Sequence, residues 1–185
     1  MNRFKNQVKQ QLINQAGFSL LELIVVIVIV AILFGLALSH LLKWRVTAEQ
    51  ASVHRLISEM RGAIKLQVAS QYAKGQLHNI VTLVGNNPLN FASETPDSYI
   101  GEQDSPNIAA IEPGHWVFDT SKKILVYRVR YPDYFTTNLK GIKRIEFKVL
   151  LVYTDKNGNN QFNLGVDTIE GLRLHSANKY SWNIK

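Results

Sequence analysis

The 185-residue chain contains no cysteine. That excludes a disulfide framework and every cysteine-ligated metal site. A domain of this composition outside the cytoplasm must rely on its apolar core, or on a metal held by other ligands. The glycine patterns of phosphate loops and dinucleotide folds are missing, and so is a Gly-x-Ser-x-Gly elbow. The five histidines, His40, His54, His78, His115 and His175, are scattered, with no pair at metal-ligand spacing. No catalytic constellation emerges, and the expectation is a protein that is not an enzyme. Acidic residues are absent from the first 17 positions, which carry Arg3, Lys5 and Lys9. The formal charge of +7 is therefore uneven. Without those positions 18 Lys/Arg face 14 Asp/Glu, leaving +4, which weakens a nucleic-acid reading.

A long apolar run succeeds the basic leader. Residues 23–38 carry no polar side chain, and residues 18–42 are interrupted only by Ser19, Glu22, Ser39 and His40. A bilayer core needs roughly 20 apolar residues as a helix, so the run is long enough to span. Its β-branched residues would favour a strand in water. In lipid a lone strand cannot satisfy its own backbone, so a helix is expected. The basic leader predicts a cytoplasmic N-terminus, with Lys43 and Arg45 tempering the bias, and Trp44 reads as an anchor at the membrane interface. A secretory signal has a shorter apolar stretch that precedes its cleavage point. A plain uncleaved anchor leaves Glu22 unexplained, because a carboxylate inside a spanning segment is expensive and marks function by default.

The run Gly17-Phe18-Ser19-Leu20-Leu21-Glu22, leading into an apolar helix, resembles the class III leader of type IV prepilins and type II secretion pseudopilins. The resemblance implies a membrane-embedded prepilin peptidase that cuts after Gly17 and then methylates the new N-terminus, Phe18. It also implies assembly with other pilin or pseudopilin subunits by an inner-membrane platform. Members often carry a helix-breaking proline where this chain has Ser39, so Gly35 is the only flexible residue nearby. Once Phe18 bears a free amine, Glu22 lies one helical turn deeper. An unpaired charge in apolar packing costs several kcal/mol, roughly, so pairing Glu22 with a neighbour's Phe18 ammonium would select the axial register. The alternative for Glu22 is a carboxylate reaching back to the interface.

Beyond the run, Val46, Val53, Leu56/Ile57, Met60, Ala63/Ile64, Gln67/Val68 and Tyr72 recur at three- and four-residue steps, with Glu49, Gln50, Arg55, Glu59, Arg61 and Lys65 among the polar positions. This predicts an amphipathic helix over 43–75, with Gly75 as its C-cap. Residues 76–185 read as a separate head: a proline-rich loop over 85–114, then strands at 116–119, 124–131, 145–153, 162–164 and 169–174. The fold class expected is α+β, a long N-terminal transmembrane-plus-amphipathic helix packed on a C-terminal antiparallel sheet, with 1–17 as leader and 18–42 as membrane and assembly helix. Asn87-Pro88-Leu89, Tyr99-Ile100-Gly101 and Pro113-Gly114 with the strands after them resemble the αβ loop and first strands of minor pilins, including those of mannose-sensitive haemagglutinin pili.

Two further features carry candidate chemistry. Asp155, Asn157 and Asn159 occupy positions 1, 3 and 5 of an oxygen-rich segment that ends at Asp167. Ligands at that spacing can converge on calcium, and the segment resembles the looser DxNxN calcium loops of extracellular proteins. It departs from an EF-hand, with Asn160 at position 6 and no Glu at position 12. The alternative is a hairpin turn at Asn157-Gly158. Arg128, Arg130, Lys140, Lys143 and Arg144 offer cations for DNA, but no aromatic stacking platform accompanies them. The function expected is a structural subunit, a minor pilin, with a type II secretion pseudopilin as alternative. A membrane-anchored periplasmic enzyme and a DNA-binding minor pilin stand behind both.

Overall fold

The computed structural model describes residues 18–184, apart from the side chain of Ser39. The leader expected over residues 1–17, including Gly17, lies outside the described residues. The chain divides into two units at Leu42/Lys43.

In the first unit, residues 20–42 are helical throughout and form the beginning of helix α1 (Leu20–Ala73). Neither Gly35 nor Ser39 interrupts the helix. An 18-residue window of α1 reaches a mean hydropathy of 3.1 with no residue buried against the protein. Such a surface suits lipid or other helices rather than water.

The second unit holds the rest of α1, which ends as its sequence predicts. Gly75 adopts φ +68, its N–H bonds the Tyr72 carbonyl, and the Gln76 N–H bonds the Gln71 carbonyl. This paired closure with a left-handed glycine is the Schellman motif. A short helix α2 (His78–Thr82) comes next, which periodicity does not reveal. The main sheet has five strands in the order β1 (Tyr99–Gln103), β2 (Trp116–Asp119), β3 (Ile124–Arg128), β5 (Arg144–Thr154) and β6 (Thr168–Ser176). β4 (Phe135–Thr137) and β7 (Tyr180–Trp182) form a second, two-stranded sheet.

The α+β class, with a long N-terminal helix and a C-terminal sheet, is as the sequence predicts, and four details differ. The sheet is mixed, because β1 runs parallel to β2 while the other neighbours are antiparallel. The proline-rich loop expected over 85–114 contains two regular pieces, a 3-10 turn (Pro88–Phe91) and β1. Buried Asn87 organises both, accepting the Leu89 N–H at Oδ1 and donating from Nδ2 to the Tyr99 hydroxyl at 2.7 Å and to Glu102 at 2.9 Å. The strand expected over 124–131 stops at Arg128, because the N–H groups of Arg130 and Tyr131 leave the ladder for the Glu49 carboxylate. Residues 162–164 are not a strand, so β5 and β6 are joined by residues 155–167 rather than by a tight hairpin at Asn157-Gly158.

The core lies between α1 and the sheet. Val53, Ile57, Met60 and Ile64 meet Trp116, Leu125, Tyr127, Ile145, Phe147 and Val149, all nearly inaccessible to solvent. These are the three- and four-residue steps of the helix against the alternate residues of the strands. The opposite face of β2 and β3 is covered too: Ile111 and Ile108 pack on Val117, Ile124 and Val126. That second cover explains why β2 is buried at every position rather than alternately.

Candidate functional site

Residues Phe18 to Glu22 open helix α1. Ser19 Oγ accepts the Glu22 N–H at 3.2 Å, and the Leu23 N–H bonds the Ser19 carbonyl at 3.1 Å. Ser19 is thus the N-cap, and Ser19-x-x-Glu22 has the residues of a capping box. The S-x-x-E spacing before an apolar run is a sequence signal for this start that the helix-period reading passes over. Phe18 and Glu22 are both exposed, and Glu22 forms no ion pair among the described residues. Its carboxylate sits in the first helical turn, where the helix dipole favours negative charge. Gly17 lies outside the described residues, so the cleavage position is carried by sequence alone.

The head contains a polar centre that sequence reading places wrongly. Glu49, counted among the polar positions of the amphipathic helix, is buried at 8 % exposure. Its Oε1 accepts the Tyr127 hydroxyl at 2.8 Å and the Arg130 N–H at 2.6 Å, and its Oε2 accepts the Tyr131 N–H at 3.2 Å. The carboxylate replaces the strand partner these two amides would otherwise lack, and so ends β3. Glu49 stands three residues after Val46 and four before Val53, on the apolar stripe itself, which is the signal that could have found it. Burial pushes the Tyr127 phenol far above its ordinary range, and the neighbouring Glu49 carboxylate pushes in the same direction.

The oxygen-rich loop is tied together by its own side chains. Asp155 accepts the N–H groups of Asn157 and Gly158 on one oxygen and that of Asn160 at 2.7 Å on the other. These backbone donors, that of Asn160 foremost, hold the Asp155 carboxyl below its usual range. Asn160 takes φ +59, the left-handed conformation that position 6 of such a loop needs and that asparagine tolerates better than other non-glycine residues. The departure at position 6 is therefore met by the backbone. Asn157 and Asn159 each accept one backbone N–H at Oδ1 and direct their amide nitrogens at Asn163 Oδ1, at 3.3 and 3.2 Å. Asp167 closes the loop by accepting the N–H groups of Lys156 and Asn163. The structure thus brings Asp155, Asn157, Asn159 and Asp167 into one network and adds Asn163, at position 9, a further ligand position of such loops that the reading of positions 1, 3 and 5 leaves out. Tyr153 anchors it by an edge contact with Phe162, ring centroids 5.4 Å apart. Among the described residues no group of three or more His, Cys, Asp or Glu is placed to hold a metal, so any ion here would depend on the asparagine oxygens.

The five cations considered for DNA divide. Arg128 donates to the carbonyls of Ala109 and Ile111, stapling the covering loop to the sheet. Arg144 is bound to Glu146 at 2.7 Å and to the carbonyls of Lys140 and Ile142. Two of the five are therefore committed inside the head, and β3 ends at Arg128, so Arg130 lies outside the strand that the sequence extended to 131.

Comparison with known proteins bears on the N-terminus. The family model described as the prokaryotic N-terminal methylation motif matches residues 12–38. No curated protein and no solved structure matches the chain. The matched span covers the last leader residues, Gly17, Phe18, the Ser19 cap, Glu22 and the apolar helix to Leu38. The match supports the reading of this N-terminus as a class III prepilin leader, of the kind found in type IV pilins and pseudopilins.

Proposed function

We propose that this chain is a minor pilin: a structural subunit held in the inner membrane by residues 18–42, with its N-terminus cytoplasmic and its head periplasmic, until it joins a filament. Prepilin peptidase removes residues 1–17 after Gly17 and methylates Phe18. The observation that carries the reading is the N-terminal motif, in which a carboxylate stands four residues beyond Phe18 at the mouth of an apolar helix. In the filament the Phe18 ammonium of one subunit pairs with Glu22 of the next. Either charge left alone among apolar helices is strongly destabilising, so the pair selects one axial register. Van der Waals packing of the helices supplies the remaining attraction in the membrane.

Intact mass of the membrane-extracted protein from a host with prepilin peptidase tests the processing. The expected mass lacks residues 1–17 and carries one added methyl group; retention of the leader refutes it. Glu22→Ala should still be cleaved but enter filaments poorly, and normal incorporation would refute the pairing role. Recruitment by a secretion system instead of a pilus would assign the chain to the pseudopilins, which share the motif.

The loop 155–167 supports a second role for this head, a calcium brace. Asp155, Asn157, Asn159, Asn163 and Asp167 supply oxygen donors of the kind calcium takes. The Oδ1 atoms of Asn157 and Asn159 each accept one N–H and keep a second lone pair, whereas both acceptor positions of Asn163 Oδ1 are taken by the amides of those two residues. A cation would replace the two amide groups now facing Asn163 Oδ1. In a domain without disulfides such a brace would steady the β5–β6 connection.

A further inference from the structure

We propose that one end of the head is a docking surface for the anionic headgroups of the bilayer that residues 18–42 enter; the proposal rests on the membrane reading of that segment. The end is built by the hydrogen bonds of Glu49. They draw the backbone of Arg130 and Tyr131 onto the helical turn that begins after Arg45. As a result Arg45 and Arg130, distant in sequence, line one cavity of about 360 Å³ together with Glu49, Ser52, Trp116 and Tyr131. Gly114, at φ +89, makes room for the Arg130 guanidinium: a Cβ there would fall 2.5 Å from its Nε. The Val129 N–H bonds the Lys143 carbonyl, which sets the turn carrying Lys140 and Lys143 beside the same strand end.

The charge of this end is one-sided. Residues 43–47, 128–134 and 138–144 hold Lys43, Arg45, Arg128, Arg130, Lys140, Lys143 and Arg144 against a single acid, Asp133. Arg128 and Arg144 serve inside the fold, bound to loop carbonyls and to Glu146. Lys43, Arg45, Arg130 and Lys140 are exposed and Lys143 half-buried, and none of the five is in an ion pair among the described residues. Of the acids that adjoin these segments, Glu49 is buried and spent on its three donors, and Glu146 is paired with Arg144.

Connectivity selects lipid as the occupant. Arg45 lies three residues beyond Leu42, the last residue of the apolar run. Even a fully extended chain keeps them within about 11 Å. The headgroup layer extends roughly 5–8 Å beyond the hydrocarbon on each side. A cation so tethered lies in or next to the headgroups. Trp44, 67 % exposed, and the half-buried Tyr131 and Tyr134 are the aromatic types that favour this layer. Clustered Lys and Arg are attracted to anionic leaflets, and the arginine fork matches phosphate oxygens.

The test uses the full chain in nanodiscs of phosphatidylcholine alone or mixed with phosphatidylglycerol, read by amide hydrogen exchange. The expected result is severalfold slower exchange across 128–144 in the anionic discs. High salt should abolish the slowing, and so should the combined variant Arg45→Gln, Arg130→Gln, Lys140→Gln. Exchange across 155–167 should be unchanged in every arm, which also shows that the variant is folded. Equal exchange in both lipids, or slowing that survives both salt and the variant, overturns the proposal. Slowing seen only when other filament subunits are added would assign the surface to a neighbouring protein and likewise overturn it. A chain that enters neither disc refutes the membrane reading, and this proposal with it.

Discussion

Removing the Glu49 carboxylate should be among the most damaging single changes in the head. Glu49→Ala deletes the acceptor of the Tyr127 hydroxyl and of the Arg130 and Tyr131 N–H groups at once. Hydrogen bonds to a charged group contribute roughly 1.5–3 kcal/mol each, and buried donors left without an acceptor add their desolvation penalty. Simple addition overstates the loss, because water entering the adjacent cavity can reach some of these donors. An expected loss of about 3–4 kcal/mol matches what breaking a buried charged network costs. For a domain of this size that is roughly a 10 °C fall in Tm. The assay is thermal unfolding of the full chain in detergent, monitored by circular dichroism. Tyr127→Phe removes one of the three bonds and should cost about 1–2 kcal/mol. Glu59→Ala, at a partly exposed position on the same helix whose side chain makes no hydrogen bond among the described residues, should change stability by less than about 0.5 kcal/mol. A Glu49→Ala melt within about 2 °C of the parent would refute the claim that this carboxylate secures the end of β3.

Three other outcomes are expected. Because the folded Tyr127 phenol titrates above its unfolded value of about 10, its contribution is complete below that pH and is lost as pH rises beyond it. Alkaline titration of Tm should therefore show a shallower fall in Tyr127→Phe, with the residual slope from Tyr99 and Tyr180, which shift the same way; identical slopes would refute the assignment. Gly114→Ala combines a left-handed φ with displacement of the Arg130 guanidinium, the end of a flexible side chain, and should lose about 1–2 kcal/mol, measured by denaturant unfolding. Gly101→Ala, at φ +102 with nothing within 4 Å of its Cβ, should lose less; equal losses would show that the Arg130 contact is immaterial. Adding EDTA should lower the melting midpoint relative to millimolar calcium, and Asp155→Asn should remove the difference; equal midpoints in the parent would show that the loop closes on its own hydrogen bonds.

Local signals are legible where one stretch of chain carries the whole message. The S-x-x-E cap, the apolar run, the helical stripe from Val53 to Ile64 and Gly75 at the C-cap each depend on neighbours within a turn or two. The strands at 116–119 and 145–153 are readable because β-rich runs bounded by turns survive whichever face meets the helix. β1 is not, since Tyr99–Gln103 is short, sits at a sheet edge, and is pinned by Asn87 twelve residues upstream. β4 and β7, three residues each, contain too little alternation to register. Asn163 is within reach of the same spacing argument, as position 9 counted from Asp155, and only its contacts with Asn157 and Asn159 need the fold.

The sequence alone determined the membrane-compatible helix, the N-terminal methylation motif over residues 12–38 and the isolated carboxylate at Glu22, because composition and helical period are properties of contiguous residues. Tertiary structure decided which polar groups are spent inside the head and which remain for partners. Glu49 and Arg130 are separated by 81 residues, and Arg128 and Ala109 by 19. The same residue types read as a solvated face until the fold buries one carboxylate, staples one guanidinium and leaves the others outward. Burial turns on which distant backbone amides lack a partner, and that is settled only when the strand ends meet the helix.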